Sequence, residues 1–176
     1  MIPFIAIMMV LLVVVCAVII VCSNKIGKLD LKAKDLGSEI DTLIWDNNHK
    51  LKCIADILNE KKIEHSIEPE DMGMMVIGMN ATLQMVKCME IEKQKALLDE
   101  VLEKHPEIRE DEKAAVHLTK LDKFTKEIVP ASLAYNKAAN AFNSYIAVFP
   151  ASLIASYQKK SSKEIFVYTP TYKENA

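Results

Sequence analysis

The sequence predicts an all-α protein: an N-terminal single transmembrane helix, an antiparallel bundle of three long helices with the third kinked at Pro130, and a short fourth helix. The first observation is an uncharged apolar run, Ile2 to Cys22. At 1.5 Å per residue its length matches a hydrocarbon core of about 30 Å. The second is the remaining composition, rich in Lys, Glu, Ala, Leu, Ile and Met with only 4 glycines. Such a composition favours helices over strands.

The apolar run is interpreted as an uncleaved signal anchor over residues 2–22, which makes the lipid bilayer its first partner. A cleaved signal peptide would have basic residues before a shorter apolar stretch and a small-residue cleavage site after it. No Lys or Arg precedes this run, whereas four lysines follow it: Lys25, Lys28, Lys32 and Lys34. Flanking lysines tend to stay cytoplasmic, so the N-terminus is predicted outside and the bundle inside.

Three amphipathic stripes predict the long helices. The first includes Ile40, Leu51, Ile54 and Leu58 and should end within the polar stretch 60–68. The second should begin near Ser66–Asp71, with Pro69 in its first turn, and stop before Pro106. Its predicted apolar residues are Met72, Met75, Met79, Leu83, Val86, Ile91, Leu97, Leu98 and Val101.

The third helix is predicted over about 107–148, with Pro130 as a kink because no loop residues flank it. Phe149-Pro150 then opens the short fourth helix. The predicted domains are an anchor at 2–22, a bundle at 25–158 and a polar tail at 159–176, with aromatics that could dock: Phe166, Tyr168 and Tyr172.

Helices of similar length joined by short connections pack antiparallel. Helix one should therefore leave the membrane, helix two return and helix three leave again. This order predicts that the Phe149-Pro150 corner lies far from the bilayer. The lysines after the corner, Lys159, Lys160 and Lys163, would then be solvated rather than in contact with anionic lipid.

Composition and motifs exclude several function classes. A net charge of −2 gives no electrostatic basis for binding nucleic acid, and Arg109 is the single arginine. No nucleophile motif, phosphate-binding glycine loop or HExxH motif occurs. We therefore expect neither an enzyme nor a cofactor.

Two clusters have a structural and a functional interpretation. Asp46 and His49 lie one helical turn apart, but a carboxylate di-iron site needs a second such pair, so a solvated polar face is the preferred interpretation. Six methionines between Met72 and Met89 fit an irregular core, which is the preferred interpretation, or else a groove for partner helices or a copper site.

Residues 134–156 form the most distinctive part of the soluble region. Asn136, Asn140 and Asn143 line one side of the predicted helix, and an aromatic stripe lies beside them. The asparagines either satisfy polar groups inside the bundle or form a recognition strip. The candidate interaction residues are Tyr135, Asn136, Asn140, Phe142, Asn143, Phe149 and Pro150.

This stretch resembles the LemA family of bacterial membrane-anchored helical proteins. Tyr-Asn, aromatic-Asn seven residues later, Phe-Pro and an Ala occur here as Tyr135-Asn136, Phe142-Asn143, Phe149-Pro150 and Ala155. Upstream, Glu103–Ile108, Asn24 and Ile40-Asp41 also fit. The family's Arg before Tyr-Asn is replaced, since Ser132 and Leu133 stand there. The resemblance implies a single-pass inner-membrane protein with a cytoplasmic helical bundle and no defined catalysis.

Two functions stay open. The first is a non-enzymatic, membrane-tethered scaffold or adaptor for other cell-envelope proteins. The alternative is a membrane-linked sensor or small-ligand-binding bundle, with the asparagine strip or the methionine-rich helix lining its site. The protein partner and the oligomeric state are left undetermined by the sequence.

Overall fold

The structure is a computed structural model that describes residues 2–72 and 78–168, with side chains from Phe4 onward. Within these ranges there is no β-strand, and the predicted all-α class is confirmed. The helices, in chain order, are α1 (Ile2–Glu60), α2 (Ala81–Lys104), the 3₁₀ helix η1 (Pro106–Glu110), α3 (Glu112–Leu121), α4 (Phe124–Ile146) and α5 (Ala151–Tyr157).

Helix α1 is one continuous helix of 59 residues. At 1.5 Å per residue its length is about 88 Å. Its N-terminal part is long and apolar enough to cross a membrane, and none of the most apolar stretch is buried. The helix ends as predicted in the polar stretch: Lys62 has a φ of 58°, and the N–H of Ile63 donates to the Leu58 carbonyl at 3.0 Å. This is a Schellman ending, which is normally made with glycine.

Helix α2 begins at Ala81, so the predicted start near Ser66–Asp71 is wrong. Asn80 caps the helix, since its Oδ1 accepts the N–H of Leu83 at 2.8 Å. Residues 63–72 are irregular instead. Pro69 fits such a segment as well as a first helical turn, because in both places its missing N–H costs nothing.

The irregular segment 61–80, as far as it is described, returns along α1. Asn48 of α1 donates to the Glu70 carbonyl at 2.7 Å, and Asp41 accepts the N–H of Gly78 at 2.7 Å. The chain therefore moves back down α1 before α2 begins, and α2 runs parallel to α1. The prediction that the second helix runs back along the first is therefore wrong, because the irregular segment makes this return instead.

The predicted third helix is divided. Asp111 caps α3, accepting the N–H groups of Lys113 and Ala114 at 3.0 and 3.1 Å. A break at residues 122–123 separates α3 from α4. Pro130 lies inside α4, and a kink there stays a prediction.

Contacts divide the chain into two compact units. Unit 1 combines residues 1–35 with 136–165, and unit 2 combines residues 36–135 with 166–176. The core of unit 1 contains Ile26, Phe142, Ala151 and Ala155. The largest fully buried side chains of unit 2 are Phe124, Phe166, Ile40, Ile44, Leu51, Ile54, Leu58, Ile108, Leu121 and Ile128. The predicted domain boundaries at 2–22, 25–158 and 159–176 stay predictions.

The buried face of α2 differs from the predicted stripe. Leu83 and Val86 are exposed, whereas Gln84 and Gln94 are buried. Gln84 donates to the Gly37 carbonyl at 2.9 Å, and Gln94 accepts the N–H of Glu68 at 2.9 Å. The two side-chain amides can be buried because each one forms a hydrogen bond with the backbone of a neighbouring segment.

Candidate functional site

The candidate site is the corner between α4 and α5, in unit 1. The chain bends there by 101°, and the Phe149–Pro150 peptide bond is cis. Phe142, one turn before the end of α4, is fully buried in the core of unit 1. Ala151 and Ala155 of α5 pack in the same core, so α5 is held by its small residues.

This corner lies beside the apolar part of α1. A groove of about 750 Å³ lies between them. Its lining includes Val14, Val18 and Ile19 of α1 and, on the opposite side, Phe149 and Leu153. The expectation that Phe149-Pro150 lies far from the predicted anchor is therefore wrong. Its cause is the irregular return, described at residues 61–72 and 78–80, because α2 then runs parallel to α1 instead of antiparallel to it.

The outer surface of the corner is apolar and uncovered. Phe149 is 77% exposed, Leu153 is 65% exposed and Tyr157 is 90% exposed. Large apolar side chains that cluster in this way usually mark a surface that contacts something other than water.

Asn143 ties the following segment to α4. Its side-chain NH₂ donates to the Lys163 carbonyl at 2.8 Å, and its Oδ1 accepts the N–H of Lys163 at 2.7 Å. This paired arrangement satisfies both ends of the amide with the backbone of one residue. It gives Asn143 a structural function within unit 1.

Two lysines of the tail bind one acid of α1. Lys160 and Lys163 each place Nζ 2.6 Å from a carboxylate oxygen of Asp30. Burial raises the pKa of Asp30, but the hydrogen bonds and charges of the two lysines outweigh burial, so its pKa lies below the ordinary value. The expectation of a solvated distal tail is thus wrong for these lysines, although Lys159 is exposed.

Further polar contacts lie just beyond the apolar run. Gln158, at the end of α5, donates to Ser23 Oγ. Lys25 places its Nζ 4.5 Å from the centroid of the Tyr145 ring. The residues that follow the apolar run in α1 therefore contact residues on both sides of the corner.

The other predicted site residues are distributed differently. Tyr135 is buried in unit 2, where a methyl group added at Gly37 would lie 3.6 Å from its ring. Asn136 is half-buried and Asn140 is exposed. The proposed asparagine strip therefore spans three environments, and its function in recognition stays a prediction.

Unit 2 contains a polar cluster that the sequence analysis did not identify as a site. Asp41 is fully buried. One of its oxygens accepts a hydrogen bond from the backbone N–H of Gly78 at 2.7 Å, and the other accepts one from the side-chain amide of Gln84 at 2.6 Å. The sequence signals were an acid adjacent to Ile40 on the apolar stripe and the fit of Ile40-Asp41 to the family pattern. Burial of a carboxylate requires donors of this kind.

Asp46 and His49 do not come together as ligands. Asp46 pairs with Lys50, whereas the His49 ring stacks on Trp45 with centroids 5.4 Å apart. In the part of the chain that the structure describes, no group of three His, Cys, Asp or Glu residues is arranged to hold a metal ion.

A long helix with an apolar N-terminal part, followed by a helical bundle that returns to it, defines the class of helical proteins with a candidate membrane span. Comparison with protein-family models matches residues 79–176 to the LemA family. Because the match covers more than half of the chain, the protein belongs to the LemA family. Comparison with curated proteins finds no match. Comparison with solved structures finds none either.

Proposed function

We propose that this protein is a non-enzymatic, membrane-tethered helical bundle that acts as a scaffold or adaptor for other cell-envelope proteins. Residues 2–22 anchor it in the bacterial inner membrane, with the N-terminus outside and the bundle cytoplasmic. Family membership and the apolar start of α1 support this proposal.

The observation that carries the proposal is the apolar N-terminal part of α1. This part is long and apolar enough to cross a membrane, and none of its most apolar stretch is buried. An uncharged apolar stretch of this length is more stable in lipid than in water, which supports a membrane tether.

The buried polar side chains support a structural rather than a catalytic function. Asn48 and Gln94 bind the backbone of the irregular segment, and Asp41 binds the residues that start α2. Lys95, which is half-buried, donates to the Leu121 carbonyl at 2.8 Å. Each of these groups forms a hydrogen bond that joins two segments of the chain.

The surface that we propose for partner binding lies on α2. Leu83, Val86 and Met89 are exposed and spaced by three residues, so their side chains are neighbours on one side of the helix. We call these three residues the α2 ridge. An exposed apolar ridge of this kind suits a partner helix with a matching apolar face.

The alternative of a small-ligand sensor has less support. It placed the ligand against the asparagine strip or the methionine-rich helix. The amide of Asn143 is already bonded to the backbone of Lys163, and Met89 faces outward on the α2 ridge.

Site-specific photocrosslinking in intact cells tests the adaptor function. A photoreactive phenylalanine replaces Val86, and the control carries it at Glu100, an exposed polar position on the same helix. We expect a reproducible adduct with a membrane protein from position 86, and its loss when Met89 is also changed to Lys. An adduct pattern identical at both positions would contradict the proposal.

A further inference from the structure

The corner between α4 and α5 has the composition of a membrane element. By length and composition, α1 can cross a membrane by itself. The helices on either side of the 101° bend pass the same test only when they are taken together, as a broken span or a re-entrant segment. The exposed side chains Phe149, Leu153 and Tyr157 belong to this segment.

The position of the corner along α1 sets its depth. Val14 lines the groove, and Cys22 ends the apolar run eight residues later. At 1.5 Å per residue this separation is about 12 Å, close to the thickness of one hydrocarbon leaflet of about 15 Å. If α1 spans the bilayer, the groove wall from Val14 to Ile19 lies inside one leaflet, and Phe149 and Leu153 lie there too.

Part of the backbone of the corner is hydrogen-bonded within the chain. Lipid supplies no hydrogen bonds, so the polar groups of the backbone must find their partners in the protein. The N–H of Ala147 donates to the Asn143 carbonyl, the N–H of Ser152 donates to the Val148 carbonyl, and Pro150 has no N–H. At the other end of α5, the backbone N–H of Lys160 donates to the Ala155 carbonyl, which ends the helix.

The polar residues of unit 1 begin where the apolar wall ends. Gln158 bonds to Ser23, and Lys160 and Lys163 bond to Asp30, all beyond Cys22. Tyr157, 90% exposed, directly precedes this polar level. Aromatic residues followed by lysines are typical of the boundary between hydrocarbon and headgroups.

We infer that the α4–α5 corner enters the cytoplasmic leaflet beside the anchor, and that the apolar groove between Val14–Ile19 and Phe149–Leu153 is filled by a lipid acyl chain. This inference deepens the proposed function and rests on its membrane tether. Lipid is the occupant because one wall of the groove is part of the candidate span, and that wall is continuous with the surface that faces lipid.

Quenching of tryptophan fluorescence by lipids brominated on their acyl chains tests this inference. The chain has one tryptophan, Trp45, so each variant carries Trp45→Phe. Full-length Phe149→Trp is compared with Ile19→Trp in the anchor and with Leu133→Trp, a 65% exposed apolar position in unit 2. Each variant is reconstituted in phosphatidylcholine and phosphatidylglycerol vesicles with and without bromine, and far-UV circular dichroism checks its helix content.

We expect the tryptophans at 149 and 19 to lose a similar fraction of their fluorescence and the tryptophan at 133 to lose none. Quenching at 19 with none at 149 would overturn the inference and leave the tether standing. Absence of quenching at both would overturn the tether and the inference with it. Quenching at 149 that grows as the protein is diluted in lipid would identify a second copy as the occupant, and would also overturn the inference.

Discussion

The carboxylate of Asp41 accepts the backbone N–H of Gly78 at 2.7 Å, although Gly78 lies on the far side of the irregular return. The other oxygen of Asp41 accepts the side-chain amide of Gln84 at 2.6 Å. One buried acid on α1 thus holds both the end of the return and the first turns of α2. This contact is one of several that hold α2 parallel to α1.

Asp41→Asn should lower the free energy of unfolding by about 2 kcal/mol, because one oxygen becomes an NH₂ group and a buried donor loses its acceptor. Chemical unfolding of the full chain in detergent, followed by circular dichroism, measures the change. The control is Asp35→Asn, an exposed acid on the same helix, which should be within about 0.5 kcal/mol of the parent. Equal effects of the two substitutions would show that the Asp41 contacts contribute nothing.

Two glycine substitutions should have opposite signs. Gly78 has a φ of 92°, which a side chain rarely adopts, so Gly78→Ala should destabilise by about 1 kcal/mol. Gly27 lies inside α1, and nothing would meet its added methyl group within 4 Å, so Gly27→Ala should stabilise by about 1 kcal/mol. The same unfolding experiment measures both, and a stabilising Gly78→Ala would contradict the described turn.

Lys62→Gly should raise the free energy of unfolding by about 1 kcal/mol, because Lys62 holds the left-handed conformation that ends α1. Lys62→Ala is the matched control, since alanine removes the same charge but keeps the strain. A gain shared by both variants would point to the charge rather than to the backbone.

The ion pairs of Asp30 should make stability depend on pH in acid. Its pKa lies below the ordinary value of 3.8, so its carboxylate contributes fully above that value, and the contribution is lost as pH falls through the lower native pKa. The difference in unfolding free energy between the parent and Asp30→Asn should be about 1 kcal/mol at neutral pH. It should shrink as the pH falls below 3.8 and vanish once the pH lies below the native pKa of Asp30.

Urea unfolding of both proteins at several pH values measures this difference, with Asp35→Asn as the control for general charge effects. A difference that instead grows on acidification would contradict the assigned ion pairs with Lys160 and Lys163.

Apolar periodicity was enough to predict the helical class and many core residues. Ile40, Leu51 and Ile54 on α1 and Ile91 and Leu98 on α2 are buried as the stripes indicate. These positions could be predicted because a repeat of three and four residues depends only on the helix itself. The burial of Gln84 could not be predicted, since its hydrogen-bond partners lie on another helix.

The corner was located in the sequence but misplaced in the fold. The spacing of Phe142, Asn143 and Phe149 singled out this stretch, and Phe142 is indeed a core residue. Its position beside the apolar part of α1 depended on whether Pro69 begins a helix or an irregular segment, and both environments accept a proline. One local ambiguity therefore reversed the predicted direction of α2.

The central claim is that residues 2–22 remain in the bilayer and hold the bundle beside it. The direct measurement is the intact mass of the protein recovered from carbonate-washed cell membranes. We expect a chain that retains residues 2–22 in the membrane pellet. Recovery of the protein in the soluble fraction, shortened by its apolar N-terminal residues, would contradict the claim.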